Sequence, residues 1–191
     1  MKAIFVLLFF GLPEEKEVLN LELRNLFRRS ILNQEIDSWH ELLLLESTKE
    51  EAILYSRFQE LTRESKGEVK GLIIPNRDFS SCIPFLELVP HASLASLFSL
   101  GEKNPEIYDS FLPLVTKENP EIVHTIKVYI ETGRSPLISS YPLYVHRNTV
   151  TYRVKAFEKR TGVSLDQFEN VMFVYALINR FNLSSEEKKA Q

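Results

Sequence analysis

The sequence predicts an α+β protein, with a small N-terminal α/β domain followed by an all-helical domain of about four helices. Strand-like runs alternate with helix-like segments over the first 75 residues, which is typical of a layered sheet. From Asn119 onward the pattern is helical. An apolar fraction of 44% with 26% charged residues is that of a folded globular chain. We expect domains over residues 1–110 and 111–183, with a polar tail over 184–191.

The N-terminal pattern predicts strand, helix, strand, helix, strand, over residues 4–10, 13–32, 39–45, 49–65 and 69–75. Pro13 suits the first position of a helix, and Thr48 with Glu51 resembles a capping box. Pro84 and Pro90 then interrupt the pattern, so we expect a loop and one or two short helices before Gly101. Residues 105–115 predict another short helix.

The apolar run over residues 3–12 also resembles an export signal. No small-x-small cleavage site follows, the preceding segment holds one lysine, and acidic residues come next, so a buried strand is favoured. The run has about half of the ~20 residues needed to cross a bilayer. Cys82 is the only cysteine, which excludes a disulfide framework within the chain. We expect a cytoplasmic protein without a membrane segment.

Helix signals divide the C-terminal part into four elements. Asn119-Pro120 starts the first helix and Gly133 ends it, and Ser135-Pro136 opens a short second helix. The third follows from about residue 146 to Gly162, and the fourth is capped by Ser164 or Asp166. A helix, a short helix, a tight turn and a helix are the layout of a helix-turn-helix, whose second member lies in the DNA major groove.

The third helix has one apolar face and one polar face. Val150, Val154 and Phe157 recur at i, i+4 and i+7 and should face the protein. The polar residues suit base edges and phosphates. The predicted DNA-binding residues are His146, Arg147, Asn148, Thr149, Thr151, Tyr152, Arg153, Lys155 and Lys159, with Arg160 as a further phosphate contact. An ordinary amphipathic helix with a solvated basic face has the same pattern, so this alternative stays open.

Charge is distributed unevenly along the chain. The formal net charge is -3, which does not indicate a generic nucleic-acid or membrane binder. From Met1 to Ile122 there are 13 Lys and Arg against 20 Asp and Glu, a balance of -7. From Val123 to Asn182 there are 8 against 4, a balance of +4. A nucleic-acid surface is therefore to be sought in the C-terminal third.

The string "VHRNTVTYRVKAFEKRTGVSL", residues 145–165, resembles the C-terminal helix-turn-helix signature of the PucR family (CdaR-like) of bacterial transcription regulators. The upstream "TIKVYIETGRS" and the downstream "FVYALINRF" are similar to its flanking helices. The resemblance extends over residues 111–181, a little over a third of the chain. It implies transcription control, with residues 146–153 engaging operator double-stranded DNA, usually through an oligomer.

The chain departs from that family in the second helix. Family members commonly carry two alanines where Ser139 and Ser140 stand, and a buried serine hydroxyl needs a partner. Pro142 follows, and a proline inside a helix costs on the order of 3 kcal/mol. We therefore expect the second helix to be brief or to end near Tyr141. A degenerate motif retained in a non-catalytic protein-interaction or oligomerisation protein is the alternative function.

No enzyme site is indicated. The four histidines lack metal-ligand spacing, and six glycines form no phosphate-binding loop. We expect no cofactor and no metal. Four tyrosines with apolar neighbours are expected in the core: Tyr108, Tyr129, Tyr144 and Tyr175. For the N-terminal domain we expect dimerisation first, since binding two DNA half-sites usually uses a two-fold protein. Sensing of an unknown small-molecule effector and simple scaffolding are the alternatives.

Overall fold

The computed structural model describes residues 4–10, 16–17, 21, 32–36, 40–45, 54–56, 58–60, 69–75, 80–91 and 93–187. Its strands are β1 (Ile4–Phe10), β2 (Leu32–Glu35), β3 (His40–Leu45), β4 (Val69–Ile74) and β5 (Leu94–Ser96), and a 3-10 helix spans Ser80–Leu88. Its α-helices with described bounds are α1 (Leu97–Lys103), α2 (Glu106–Phe111), α3 (Pro113–Thr116), α4 (Pro120–Glu131), α5 (Pro136–Leu143), α6 (Arg147–Thr161) and α7 (Phe168–Glu187).

The five strands form one sheet in the order β2-β3-β1-β4-β5. β1 pairs antiparallel with β3 and with β4, and only β5 runs parallel to its neighbour, β4. The apolar N-terminal run is therefore the central strand, and Val6, Leu7 and Leu8 are fully buried. Side chains of both faces are buried, as the continuous apolar run predicts.

Helical residues cover one face of this sheet. Leu54 and Phe58 pack with Val6, Leu8 and Ile73 in one buried cluster. Residues 16–17, 21, 54–56 and 58–60 are helical, in agreement with the two predicted helices. The other residues of those helices, with the predicted cap at Thr48 and the strand start at Trp39, lie outside the described residues.

Two strands were not predicted from the sequence. β2 begins at Leu32, where the first helix was expected to end, and its sequence "LNQE" has no apolar run. β5 has three residues. Both lie at the edges of the sheet, where pairing with a neighbouring strand can outweigh weak local propensity. The predicted loop region contains the 3-10 helix, which includes Pro84 and buries Cys82 and Leu86.

The chain divides into two compact units, Met1–Lys103 and Asn104–Gln191, here called the sheet unit and the helical unit. The fold class is α+β, as predicted. α2 lies within the helical unit, ahead of the boundary expected at residue 111, because its apolar face packs on α7: the Tyr108 and Phe111 rings lie 5.6 and 5.2 Å from that of Phe173. No helix in the described ranges is long and apolar enough to cross a membrane.

Candidate nucleic-acid interface

α4 has the start and end that the sequence predicted. Asn119 Oδ1 accepts a hydrogen bond from the Glu121 backbone N–H at 2.8 Å, and Pro120 occupies the first helical position. The helix ends at Glu131, and Gly133 follows with φ 74°. This left-handed conformation is the one that glycine adopts at lowest cost.

Both serines of α5 are buried and have hydrogen-bond partners. Ser135 Oγ caps the helix by accepting from the Ile138 N–H at 3.4 Å. Ser139, which is 0% exposed, donates to the Ser135 carbonyl at 2.6 Å, and Ser140 donates to the Leu137 carbonyl at 2.6 Å. Both residues therefore fit where α5 packs closely, and the requirement for partners is met within the helix.

α5 continues through Pro142 to Leu143, two residues beyond the expected end near Tyr141. It is brief, with eight residues. Pro142 has no N–H to donate to the Ile138 carbonyl, so the helix loses one backbone hydrogen bond there and ends one residue later. The chain then closes in a Schellman motif: Tyr144 N–H donates to Tyr141 O and Val145 N–H to Ser140 O, both at 3.2 Å.

α6 begins at a histidine cap and ends at a glycine. His146 Nδ1 accepts a hydrogen bond from the Asn148 N–H at 3.2 Å, so this imidazole stabilises the start of the helix. Gly162, with φ 71°, follows the last residue. Val150, Val154 and Phe157 are buried, which confirms the predicted inward face.

The outward side of α6 is polar and cationic. At about 100° per residue, four exposed residues lie opposite the buried ones and form what we call the exposed stripe: Asn148, Tyr152, Lys155 and Lys159. His146 and Arg147 are exposed at the start of the helix, while Thr149 and Thr151 are half-buried on its flanks. Thr151 Oγ1 donates to the Arg147 carbonyl at 3.2 Å.

Arg153 and Arg160 lie at contacts with α4 and the residue before its cap. Arg153 Nη2 is 2.6 Å from Glu121 Oε2, and Nη1 donates to the buried Thr125 Oγ1 at 3.1 Å. Arg160 Nη2 is 2.6 Å from Glu118 Oε1. Sequence reasoning grouped both arginines with the phosphate contacts and missed the two acidic partners, since spacing along one helix carries no signal for a partner on another.

The exposed cations of α6 outnumber its carboxylates. The helix contains one carboxylate, Glu158, whose Oε1 accepts the Leu165 backbone N–H at 2.8 Å. Arg147, Lys155 and Lys159 are exposed. This face therefore presents a positive potential that a polyanion would complement.

Two packed helices, a tight turn and a polar exposed helix face are the geometry of a helix-turn-helix. Residues 122–178 match the PucR C-terminal helix-turn-helix domain. One relative, the Purine catabolism regulatory protein of Bacillus subtilis (strain 168), is 41% identical over 56 residues, which are 29% of this chain and 10% of that protein. Another, the Carbohydrate diacid regulator of Escherichia coli (strain K12), is 27% identical over 100 residues, which are 52% of this chain and 26% of that protein.

The chain thus matches about a quarter or less of the length of either regulator. This chain also aligns with the solved structure of a regulator of polyketide synthase expression from Bifidobacterium adolescentis. The alignment covers 94% of this chain and 80% of the other chain, with 15% sequence identity and a TM-score of 0.41. That score is too low to establish a shared fold.

The last helix of the PucR-type domain begins later than predicted. α7 starts at Phe168, whereas Ser164, a predicted cap, accepts from the Asp166 N–H at 3.3 Å within the preceding turn. Arg134 Nη1 holds this turn by donating to the Leu165 and Asp166 carbonyls at 3.2 and 3.3 Å. Phe168, the first residue of α7, is 66% exposed.

The tyrosines predicted for the core have different environments. Tyr108 is buried, and Tyr129 is half-buried. Tyr175 is half-buried, and its hydroxyl donates to Glu131 Oε1 at 3.1 Å. Tyr144 is 95% exposed, so its prediction as a core residue was wrong. The prediction relied on the apolar neighbours of Tyr144 in the sequence, whereas the turn before α6 directs this side chain outward.

Proposed function

We propose that this protein is a sequence-specific DNA-binding transcription regulator that inserts α6 into the major groove. The observation that supports the proposal is the exposed stripe, which lies opposite the buried Val150, Val154 and Phe157. An α-helix fits the major groove, and base edges there offer patterns that amide and guanidinium groups can read. The PucR-type match over residues 122–178 supports the same function.

The exposed residues of α6 have distinct proposed roles. Asn148 suits the paired donor and acceptor of adenine, and Arg147 suits the two acceptors of guanine. Lys155 and Lys159 suit phosphates, while Thr149, Thr151 and Tyr152 lie where they could contact phosphate or a thymine methyl group. We assign His146 mainly to the helix cap, and Arg153 and Arg160 to holding α6 in place.

Regulators of this kind usually bind two half-sites with a two-fold protein. We therefore propose a homodimer, with the sheet unit as the first candidate for the self-contact and effector sensing as its alternative role. The proposed activity places the protein in the cytoplasm, where a bacterial chromosome lies.

The experiment is a selection from a pool of random duplexes, with the bound fraction sequenced. A palindromic motif is the expected result, and it would also establish a dimer. Asn148→Ala should weaken binding to the selected duplex by about 1–3 kcal/mol while the thermal unfolding midpoint stays unchanged. Lys117→Ala, an exposed cation outside the PucR-type match, is the control and should leave binding intact.

The alternative function, an interaction protein with a degenerate helix-turn-helix, predicts a different outcome. No duplex would bind with salt-sensitive affinity, and a stable complex with itself or another protein would form instead. Loss of DNA binding in Asn148→Ala through unfolding alone would also contradict the proposed role of this side chain.

A further inference from the structure

Four described residues have a backbone φ in the left-handed region: Gly133, Arg134, Tyr144 and Gly162. Glycine, which adopts this conformation without steric cost, occupies two of them. At the third, the Arg134 guanidinium donates hydrogen bonds to the Leu165 and Asp166 carbonyls. Tyr144 is the remaining one, at φ 52° and ψ 39°.

The side chain of Tyr144 does not offset this backbone cost by burial. The residue occupies the Schellman position where glycine is usual, and a bulky residue there is strained. Yet 95% of its surface is exposed, so little apolar area is removed from water within the domain. Strain in an exposed aromatic residue points to a contact outside the folded chain.

Tyr144 lies next to other exposed aromatic and apolar side chains. Tyr141, three residues earlier on α5, is 68% exposed, and Leu137 and Ile138 are about half exposed. Of the eight large apolar or aromatic side chains that are exposed in the described residues, five lie within residues 137–152. Four of them, here called the exposed apolar patch, lie on α5 and the turn that follows it: Leu137, Ile138, Tyr141 and Tyr144.

The position of Tyr144 in the chain indicates the partner. It precedes the cap residue His146 by two positions and the exposed Arg147 by three, at the start of α6. A polyanion that engages Arg147, Lys155 and Lys159 would pass this turn, and the hydroxyl of tyrosine is among the donors that proteins use for DNA phosphates.

We propose that Tyr144, with Tyr141 beside it, contacts the sugar-phosphate backbone that flanks the groove entered by α6. The hydroxyl group of Tyr144 donates a hydrogen bond to a phosphate oxygen, and its ring packs on deoxyribose. This inference rests on the proposed DNA-binding function. It predicts a contribution to affinity that is the same for every sequence, since phosphates carry no base identity.

The test compares Tyr144→Gly and Tyr144→Phe with the wild-type protein on the selected duplex and on a scrambled duplex. Tyr144→Gly should be at least as heat-stable as wild type, because glycine relieves the left-handed backbone, yet bind both duplexes about five- to tenfold more weakly. Tyr144→Phe, which lacks only the hydroxyl group, should lose part of that affinity. Phe168→Ala is the control. It removes an exposed aromatic residue that lies outside α5, the turn and α6, and this variant should bind like wild type.

Two outcomes overturn the assignment of Tyr144 alone. If wild type binds the duplex and Tyr144→Gly binds it equally well, the side chain makes no backbone contact. If Tyr144→Gly instead lowers the sedimentation mass of the free protein, the patch is a contact between two copies of the chain. If wild type binds no duplex, both this assignment and the proposed function fail, so the two failures are distinguishable.

Discussion

Ser139 and Thr132 place two hydroxyl oxygens 2.7 Å apart between the end of α4 and the middle of α5. Thr132 Oγ1 is also 2.7 Å from the Val128 carbonyl, and Ser139 Oγ is 2.6 Å from that of Ser135. Two hydroxyl hydrogens serve three short contacts, so only two of them are hydrogen bonds at one time. Either hydroxyl can therefore lose the other and keep a backbone acceptor.

We expect Ser139→Ala to lower the free energy of unfolding by at most about 1 kcal/mol. The alanine leaves no orphaned hydroxyl, because Thr132 still bonds to Val128 O. Ser139→Val should cost about 1–3 kcal/mol, since it replaces the hydroxyl by one methyl group and adds a second at a fully buried site. Urea denaturation measures both. Equal costs for alanine and valine would contradict the claim that close packing, not hydrogen bonding, restricts this position.

Two substitutions of His146 distinguish a role in capping α6 from a role in contacting DNA. His146→Ala should lower the free energy of unfolding by about 1 kcal/mol because the Asn148 N–H loses its acceptor. His146→Asn, which supplies a side-chain oxygen at the same position, should restore stability. If His146→Asn also retains full affinity for the selected duplex, the imidazole makes no essential phosphate contact; a large loss of affinity in a stable variant would show that it does.

At the scale of elements, ion pairs fix α6 against α4. The Arg153 side chain is 21% exposed and that of Glu121 is 73% exposed, so solvent screens their attraction. A double-mutant cycle with Arg153→Ala and Glu121→Ala should give a coupling of about 0.5–1 kcal/mol. Arg153→Ala should leave the salt dependence of DNA binding unchanged, whereas Lys155→Ala should lower its slope by about one per α6 helix.

The opposite result for these two variants would place Arg153 on the DNA. A reduced slope in Arg153→Ala with an unchanged slope in Lys155→Ala would contradict the assignment of Arg153 to α4. The cycle gives an independent check on the free protein, because the ion pair predicts coupling between Arg153 and Glu121 in the absence of DNA.

The pair between Asp109 on α2 and Arg180 on α7 predicts a pH dependence of stability. Arg180 Nε and Nη2 donate to the two Asp109 carboxylate oxygens at 2.7 and 2.9 Å, and this hydrogen bonding lowers the pKa of Asp109. A lowered folded-state pKa means that the stabilisation is present above the ordinary carboxyl pKa of about 4 and is lost as the pH falls through the folded-state value.

Asp109→Asn should therefore lower the free energy of unfolding by about 0.5–1 kcal/mol at pH 7, since the pair is partly solvated. The difference from wild type should shrink as the pH falls below about 4. Chemical denaturation at pH 7 and at a pH below about 4 measures the free energy of unfolding of both proteins. A difference that stays constant with pH would show that Asp109 acts through packing or helix capping instead of its charge.

At the scale of the whole molecule, charge is segregated along the chain, with -7 up to Ile122 and +4 from Val123 to Asn182. An acidic remainder opposes nonspecific adhesion to DNA, so binding should depend on the few exposed cations of α6. If Lys155 and Lys159 of two protomers contact phosphates, log K against log salt should have a slope of about -3.6. A slope of about -7 on a palindromic site would indicate that Arg153 and Arg160 also contact phosphates.

Periodicity predicted the central strand, the four C-terminal helices and the inward face of α6 because each of these signals is local. Asn119, Gly133 and Gly162 act on their own backbone, and Val150, Val154 and Phe157 repeat within one helix. The strand pairing could not be predicted: β1 lies between β3 and β4, and nothing in its own apolar run selects its partners.

The sequence by itself determined the α+β class, the ends of α4 and α6, and the polar face of α6 that faces away from the helical core, since these follow from backbone preferences and side-chain spacing. The tertiary structure decided which cations of α6 have an acidic partner elsewhere in the chain. Glu118 and Glu121 form ion pairs with Arg160 and Arg153, and the left-handed turn exposes Tyr144. The ion pairs depend on where segments distant in sequence meet, and spacing along one helix carries no information about that.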